Sequence, residues 1–232
     1  MILERKIQMN LQELKKQFDE IEKAKDFELI SRQSGSLIDI LSLMNVYNSA
    51  MKEVSTKLEI LDEEFHVNYN NNPIHHLECR VKSIKSITDK IKKYDTLPTV
   101  ESIREHIKDI AGIRVICNFV DDIYLIEKLL LGQEDIELIK RKDYIKNPKE
   151  NGYRSLHIVV QIPVFLSNRT ENVPVEVQLR TVAMDYWASL EHSLRYKNSI
   201  DDMEKHSQKL LDCANSLADT EQIMQEIRND IR

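Results

Sequence analysis

The sequence has few of the residues that build disulfide frameworks, fibrous repeats or flexible linkers. Its three cysteines are odd in number and far apart, which predicts no disulfide framework and fits a reducing compartment. Four glycines and five prolines are too few for a collagen-like or low-complexity chain and favour a helix-rich fold. No apolar run approaches the roughly 20 residues of a transmembrane helix, and the charged N-terminus lacks the apolar core of a signal peptide. We therefore expect a folded cytoplasmic protein with no membrane partner.

An excess of positive charge is also missing. The sequence has 33 Lys and Arg against 39 Asp and Glu, which gives a net charge of −6. This balance excludes a general nucleic-acid coat, and no DNA partner is expected. Local basic sites are still allowed, because the Debye length is about 8 Å at physiological ionic strength and distant acids do not cancel a clustered cationic groove.

Both ends of the chain have the apolar spacing of long helices. The pattern predicts one helix within residues 1–27 and another from Leu37 to Phe65, before a polar break at Asn68 to Pro73. A further helix is predicted from Asp201 to Arg232, with apolar residues seven positions apart. This last helix either packs on its own domain or forms an oligomerisation seam. A second row with the same seven-residue spacing contains His206, Cys213, Thr220 and Ile227, and its polar residues weaken the seam.

The middle of the chain alternates helical and strand patterns. Helices are predicted at Val81 to Tyr94, Val100 to Ile107 and "DDIYLIEKLLL", and strands at "GIRVICNF", "IELIKRK", "SLHIVVQIPVFL" and "VPVEVQLR". The loop "SNRTEN" joins the last two strands as a hairpin. This mixed order predicts an α/β fold of α+β type, with a mixed, largely antiparallel sheet flanked by helices. We divide the chain into a helical region (1–72), a core (73–198) and a C-terminal helix (199–232).

The first segment that indicates chemistry is the basic stretch "RVKSIKSITDKIKKY". On a helical wheel its cations and one hydroxyl gather on one face: Lys82, Ser86, Lys90 and Lys93. A solvated face is the common explanation, but Asp89 is the one local counter-charge. Two ammonium groups about 4 Å apart repel by about 4 kcal/mol at an effective dielectric constant of 20. A polyphosphate would turn that repulsion into attraction. Arg80 is predicted to lie just before the helix.

The second and third segments each contain a carboxylate beside a strand. In "DIAGIRVIC", Asp109 precedes a strand that includes Arg114, and in "VPVEVQLR", Glu176 and Gln178 share the polar face of a strand. Carboxylates together with phosphate oxygens suit Mg²⁺, and Gln178 suits a base edge or a ribose. Alternatively, Asp109 caps a helix or pairs with Arg114, and the second segment is an ordinary half-buried strand.

The fourth segment is the loop "NPKENGYRSLH", where glycine, tyrosine, arginine, serine and histidine follow one another closely. If the next strand begins at Tyr153, then Tyr153, Ser155 and His157 share one face. An aromatic ring beside lysines and arginines is typical of a nucleotide pocket. A basic loop with a tyrosine packed on the core is the alternative.

Four segments, taken in order, resemble the synthetase domain of the RelA/SpoT-type alarmone synthetases. They are "RVKSIKSITDKIKK", "DIAGIRVIC", "DYIKNPKENGYRSLH" and "VEVQLRTVAMDYWASLEH", and the resemblance covers about Pro73 to Lys197. It implies a nucleotidyltransferase-like sheet that moves the β,γ-pyrophosphate of ATP onto the 3′-hydroxyl of GDP or GTP. The products would be AMP and ppGpp or pppGpp. The sequence has no His-Asp dipeptide of the family's hydrolase domain, so a small, synthesis-only member is expected.

The resemblance also implies a role for particular residues. It places ATP on Arg80, Lys82, Ser86, Lys90, Lys93 and Arg114, and the GDP or GTP acceptor on Lys149, Tyr153, His157 and Gln178. Asp109 and Glu176 would be the catalytic carboxylates and the ligands of Mg²⁺, with Glu176 acting on the 3′-hydroxyl as base, metal ligand or both. Asp185 is assigned no contact. Small relatives commonly form tetramers through terminal helices, so a homo-oligomer is expected.

Two other functions compete with synthesis. The local basic density is compatible with a catalytically inactive regulator that binds nucleotides or RNA, although the retained carboxylates argue against it. A helical scaffold that oligomerises through its terminal helices would explain the ends of the chain but not its middle.

Overall fold

The predicted apolar repeats that lie in the described chain each form a helix or a strand. The computed structural model describes residues 37–69, 72–94, 99–197 and 200–231. Its elements are α1 (Leu37–Tyr69), β1 (Ile74–Val81), α2 (Ile84–Ile91), α3 (Val100–His106), β2 (Ala111–Cys117), α4 (Val120–Leu131), β3 (Glu137–Asp143), β4 (Leu156–Phe165), β5 (Thr170–Thr181), α5 (Val182–Lys197) and α6 (Ile200–Ile231). A 3₁₀ turn, Lys92–Tyr94, extends α2. The helix predicted within residues 1–27 lies outside the described residues.

The five strands form one sheet in the order β1-β2-β5-β4-β3. Strands β2 and β5 pair in parallel, and the other three pairs are antiparallel. Strands β4 and β5 form the predicted hairpin, but β5 begins at Thr170 and not at Val173, so the loop between them is 166–169. The predicted mixed, largely antiparallel sheet flanked by helices is confirmed.

Helix α1 covers one face of this sheet. Its buried residues recur three or four positions apart, and Tyr47, Met51, Val54 and Leu58 are almost entirely removed from solvent. They join one core cluster with α4 and with the alternate, inward-facing residues of β2, β4 and β5. The polar residues of these strands therefore point to the opposite face, where no part of α1 lies over them.

Strand β1 and helix α5 were not predicted as separate elements. Strand β1 is an edge strand with largely exposed polar side chains, so it lacks the alternating apolar pattern of a half-buried strand. Because β1 occupies the chain up to Val81, the basic helix begins at Ile84 and not at Val81. Ser83 caps it by accepting a hydrogen bond from the amide of Ser86. Arg80 lies before the helix, as predicted.

The strand after the glycine loop begins at Leu156 and not at Tyr153. Ser155 is fully buried, and its hydroxyl donates a hydrogen bond to the carbonyl of Leu179 at 3.1 Å. The expectation that Ser155 shares a face with Tyr153 and His157 is therefore wrong. Its hydroxyl fixes the start of β4 to β5, which holds the loop in place beside the sheet.

The first half of α6 packs on α5 of the same chain. Leu210 and Leu217 contact a small buried cluster of Trp187, Ala188 and Ala214, and the indole N–H of Trp187 donates to the carbonyl of Leu210 at 2.9 Å. The second half exposes apolar residues, which include Ile223, Met224, Ile227 and Ile231. Packing on its own domain therefore explains one half of the seven-residue repeat. In the described residues no helix is long and apolar enough to cross a membrane.

Candidate active site

An open cleft of about 270 Å³ lies on the polar face of β1, β2 and β5. Its lining includes six of the predicted site residues: Arg80, Lys82, Asp109, Arg114, Glu176 and Gln178. The pairing register explains why they meet, since Gly112 of β2 lies beside Arg80 on one side and Glu176 on the other. Gly112 carries no side chain, so the middle of this row stays open between the arginine and the carboxylate.

Asp109 lies between α3 and β2, where it binds two lysine ammonium groups. Its Oδ2 is 2.7 Å from the Nζ of Lys82, and its Oδ1 is 2.8 Å from the Nζ of Lys90. Burial by itself raises the pKa of the Asp109 carboxyl, but the two lysines outweigh burial and hold this pKa below its usual value. Arg114 is not its partner, and α3 ends at His106, so the alternatives of a helix cap or an Arg114 pair are wrong.

The two other predicted phosphate residues, Ser86 and Lys93, lie on α2 and in the turn that follows it. The hydroxyl of Ser86 is 2.9 Å from that of Ser83 at the start of the helix. Lys93 lies in the 3₁₀ turn beyond the helix and is exposed. The lysine face therefore exists, but Lys82 joins it from the end of β1 and not from the helix.

Glu176 lies at the centre of the polar face, on β5. Its Oε2 accepts a hydrogen bond from Nε2 of Gln178 at 3.0 Å, and its Oε1 is 3.7 Å from Nδ1 of His157. Burial raises the pKa of Glu176, but His157 and Gln178 outweigh it and the pKa lies below its usual value. The charge of Asp109 also raises this pKa, so the two carboxylates are close enough to repel each other. Both are ionised at neutral pH.

Arg114 is held on the β1 side of the cleft. Its Nη1 is 2.7 Å from Glu78 on the paired strand and 3.4 Å from Asp185 in the first turn of α5. Arg80 is exposed on the adjacent strand, two register positions from the pair that Arg114 forms with Glu78. The two predicted adenine-binding arginines are therefore on neighbouring strands, and two carboxylates fix the orientation of one of them.

The predicted acceptor residues form an aromatic cluster beside Glu176. The Tyr153 hydroxyl is 2.7 Å from Nε2 of His157, and the Lys149 ammonium lies 4.7 Å from the Tyr153 ring centroid and 4.8 Å from that of Tyr144. Tyr144 also meets His157 edge-on, with ring centroids 5.3 Å apart. Sequence reasoning missed Tyr144, although it lies among lysines in the segment "KRKDYIKN" as Tyr153 does further on.

Arg180 was also missed, although the alternation of β5 places it on the same face as Glu176 and Gln178. Its guanidinium is buried and donates to the Tyr153 hydroxyl at 2.7 Å, to Gln178 at 2.9 Å and to Asp185 at 3.0 Å. Asp185 therefore has contacts that the sequence did not assign to it. A buried arginine is visible in sequence only as one more polar residue of a half-buried strand.

The loop before β4 is folded by its own hydrogen bonds. The Asp143 carboxylate accepts from the amides of Ile145 and Lys146, and the amide of Gly152 donates to the carbonyl of Lys149 at 2.8 Å. Gly152 has φ of 89°, a conformation that favours glycine. These bonds turn the chain so that Lys149 and Tyr153 lie against each other.

The structure thus brings together two groups of predicted residues on one polar face. The lysines and Asp109 lie on one side, Tyr153, His157 and Lys149 lie on the other, and Glu176 with Gln178 lies between them. Among the described residues no group of three or more His, Cys, Asp or Glu side chains is arranged to hold a metal ion. Two ionised carboxylates within electrostatic reach are the donor type that Mg²⁺ prefers when phosphate oxygens complete its shell.

Comparisons with known proteins identify this arrangement. A family model described as the region found in RelA/SpoT proteins matches residues 79–201. The GTP pyrophosphokinase YwaC of Bacillus subtilis is 44% identical over 169 residues, which are 73% of this chain and 80% of that protein. The GTP pyrophosphokinase YjbM of the same organism is 36% identical over 80% of this chain and 87% of its own length.

Solved structures agree with the sequence comparison. Small alarmone synthetase 2 from Bacillus subtilis superposes with a TM-score of 0.71 at 40% identity, over 81% of this chain and 97% of that chain. Small alarmone synthetase 1 from the same organism, bound to its product pppGpp, gives a TM-score of 0.72 at 34% identity, over 81% and 95%. The fold is shared with small alarmone synthetases, and two relatives that match most of this chain are named as GTP pyrophosphokinases. The chain belongs to the RelA/SpoT family, as a small alarmone synthetase.

Proposed function

We propose that this chain transfers the β,γ-pyrophosphate of ATP to the 3′-hydroxyl of GDP or GTP, forming AMP and ppGpp or pppGpp. One observation supports this more than any other: Glu176 lies between a lysine group on Asp109 and an aromatic group at Tyr153, on one face of one sheet. A transfer between two nucleotides needs one site for each and a charged group where they meet. The relatives at 44% and 36% identity carry the name GTP pyrophosphokinase.

The donor side is prepared for phosphates by charge. Lys82 and Lys90 both bind Asp109, so their ammonium groups are gathered at one place. We assign them, with Ser86 and Lys93, to the phosphates of ATP. Mg²⁺ would be held by Asp109 and Glu176 and would neutralise charge on the transferred group. Arg80 and Arg114 would contact adenine from neighbouring strands.

The acceptor side is prepared for a purine by aromatic rings. Lys149 lies over the faces of Tyr144 and Tyr153, a place that a flat base can take by stacking. A guanine on Tyr153 would displace this ammonium towards the acceptor phosphates. His157 and Gln178 lie beside each other in the pairing of β4 and β5, where they can hold the ribose.

Glu176 acts on the 3′-hydroxyl mainly by orienting it. A carboxylate with a lowered pKa is a weaker base than an ordinary glutamate, so it cannot remove an alcohol proton early in the reaction. Its hydrogen bond from Gln178 and the nearby His157 fix its two oxygens. Orientation of the nucleophile and neutralisation of phosphate charge are the main contributions that phosphoryl-type transfer needs from a protein.

A labelled transfer assay tests this function directly. Purified protein, Mg²⁺ and radiolabelled ATP are incubated with GDP and with GTP in parallel, and the products are separated by chromatography. We expect a guanosine tetraphosphate from GDP, a pentaphosphate from GTP, and AMP in equal amount. Formation of ADP alone would contradict the proposal, and nucleotide binding without transfer would favour the inactive regulator.

Two carboxylate variants test the assigned site. Glu176→Gln and Asp109→Asn should reduce transfer by at least about 100-fold, because each removes a charge that acts on the reacting groups. Asp135→Asn is the matched control, since Asp135 also pairs with a lysine, Lys57, at 2.8 Å but lies outside the cleft. Normal turnover by either cleft variant, with circular dichroism unchanged, would refute its role.

Assembly and location are part of the same proposal. We propose a homo-oligomer, a tetramer by resemblance to the family, that contacts its copies through the terminal helices. The exposed apolar residues at the end of α6 support this, because such residues are costly in water. The cytoplasm is the proposed compartment, where ATP and guanine nucleotides are available.

A further inference from the structure

Arg180 is the most deeply buried charge on the polar face of the sheet. Its relative exposure is 6%, and its two terminal nitrogens make three hydrogen bonds, to Tyr153, Gln178 and Asp185. The guanidinium carbon also lies 5.2 Å from the Tyr153 ring centroid. Burying an arginine is costly unless its hydrogen bonds are made in a fixed geometry, so this side chain holds its three partners in a defined arrangement.

Asp185 connects this arginine to the other half of the cleft. Its Oδ1 accepts from Nη1 of Arg180 at 3.0 Å and lies 3.4 Å from Nη1 of Arg114. Helix α5 follows β5 without a loop, and its start is fixed by the amide of Met184, which donates to the Thr181 hydroxyl at 3.2 Å. Asp185 is therefore held at a constant distance from Arg180, five residues before it in the chain.

Both arginines also carry an unused donor. The Nε–H groups of Arg114 and Arg180 are buried and, within the described part of the chain, have no hydrogen-bond partner. A buried donor without a partner lowers stability, and such groups deserve an explanation in function. Each guanidinium directs a terminal nitrogen towards Asp185; Arg180 also bonds Tyr153 and Gln178, and Arg114 also bonds Glu78.

We propose that Arg180 and Asp185 are positioning residues that hold the acceptor platform, Tyr153 and Gln178, in register with Arg114 on the ATP side. The inference rests on the proposed function and adds to it. Arg180 acts through the Tyr153 hydroxyl and the Gln178 amide and does not touch the reacting atoms. Asp185 joins the acceptor arginine to the donor arginine through a single carboxylate oxygen, so the distance between the two nucleotide sites depends on it.

Steady-state kinetics with each substrate varied in turn test this pair. Arg180→Lys keeps the charge but loses the planar fork, so it cannot hold three partners. We expect its KM for GDP to rise by about tenfold or more, as for lost hydrogen bonds to a charged group, while KM for ATP stays within about twofold. Asp185→Ala releases both arginines and should raise both KM values. Asp185→Asn keeps an oxygen that accepts these hydrogen bonds, so most of the rise in KM seen with Asp185→Ala should be absent.

The matched control is Arg228→Lys. Arg228 is a partly buried arginine, with its side chain 10% exposed, that bonds Asp122 at 2.8 Å, away from the cleft. Arg228→Lys should leave both KM values within about twofold of those of the unmodified protein. It should lower thermal stability by an amount similar to the loss caused by Arg180→Lys. An equal rise in both KM values for Arg180→Lys, no rise in either, or the same pattern for Arg228→Lys would overturn the proposal. If Arg180→Lys does not fold, Tyr153→Phe removes only the hydroxyl that Arg180 binds and should raise KM for GDP alone.

Calorimetric binding of GDP, without ATP, separates this inference from the proposed function. If the unmodified protein binds GDP but makes no tetraphosphate, the proposed function fails. Weaker GDP binding by Arg180→Lys, by about tenfold or more, would then still support the positioning role. If transfer occurs normally and GDP binding is equal in both proteins, the positioning role fails and the proposed function stands.

Discussion

At the scale of single residues, Asp109 shows how a carboxylate prepares a cleft for an anion. Three charges meet there, two from lysines that are separated from Asp109 by 27 and 19 positions in the chain. Without the Asp109 carboxylate between them, the two neighbouring ammonium groups would repel each other. With it, they stay gathered and partly neutralised, and a polyphosphate can replace the carboxylate as their counter-charge.

This arrangement predicts a pH dependence of stability. The pKa of Asp109 is lower in the folded chain than in an unfolded one, so its ion pairs add stability above its ordinary pKa of about 3.9. The contribution is lost as the pH falls through the lowered pKa. We expect the difference in unfolding free energy between the unmodified protein and Asp109→Asn to be constant from pH 7 to about 5 and to shrink below about pH 4. Urea titrations at several pH values measure it, and a difference that is unchanged at the acidic end would contradict the assignment.

Tyr153 gives a second residue-scale prediction. Base stacking on an aromatic side chain is worth about 1–3 kcal/mol, so Tyr153→Ala should raise KM for GDP or GTP by about 5-fold to 150-fold. KM for ATP should change far less, because the donor lysines and Asp109 are on the other side of Glu176. Tyr69→Ala removes an exposed tyrosine at the end of α1 and serves as control. An equal rise in KM for both substrates would contradict the assignment of the Tyr153 loop to the acceptor side of the site.

At the scale of elements, the acceptor loop depends on α6. A Cβ added at Gly152 would lie 2.6 Å from the Cβ of Ala214 on that helix, and Arg154 donates to the carbonyl of Ala214 and to Asn215. Tyr153 packs on the same cluster. The loop that carries Tyr153 is therefore pressed between the sheet and the C-terminal helix, and the position of the helix determines the position of the loop.

Gly152→Ala tests this contact. Its φ of 89° and the close approach of Ala214 should together cost about 1–3 kcal/mol of stability, and KM for the acceptor should rise as the loop shifts. Gly132→Ala is the control, because Gly132 has an ordinary φ of −79° and a Cβ added there would meet only two backbone oxygens, the nearer at 3.2 Å. It should change stability by less than about 1 kcal/mol and leave KM unaltered. Urea unfolding and initial rates give both quantities; equal effects at the two glycines would disprove the role of α6.

At the scale of the whole molecule, the two faces of the sheet differ: one forms the apolar core and the other forms the polar cleft. One face packs on α1 and α4 and contains most of the buried apolar residues. The other face is polar and holds the cleft, with α2 and α5 at its ends. Because the core lies behind the sheet, the polar face can place buried and half-buried charges side by side without disturbing the packing that stabilises the fold.

The proposed oligomer is a prediction at this scale. Ile223→Glu places a charge in the exposed apolar stretch of α6, and we expect it to lower the mass measured by size exclusion with light scattering. Phe165→Glu changes an even more exposed apolar residue, at the hairpin of β4 and β5, and should leave the mass unchanged. A single-chain mass for the unmodified protein, or a fall in mass for both variants, would contradict assembly through the terminal helix.

The periodic elements and the order of the motifs can be read from the amino-acid sequence alone. The stripe of α1 and the alternation of β2, β4 and β5 are local patterns, since the side chains of a helix or strand face the core at fixed intervals. Six of the residues that line the cleft were also predicted, from motifs and from the family resemblance that those motifs carry.

Which of these residues contact each other depends on the packing of the folded chain. Strand β1 is an edge strand whose polar pattern is seen as a strand only beside β2. The lysines on Asp109, the ring of Tyr144 and the buried guanidinium of Arg180 all depend on pairings between distant segments. Periodicity reports which way a side chain faces, but burial and partners follow from what packs against it, and that is set by the whole fold.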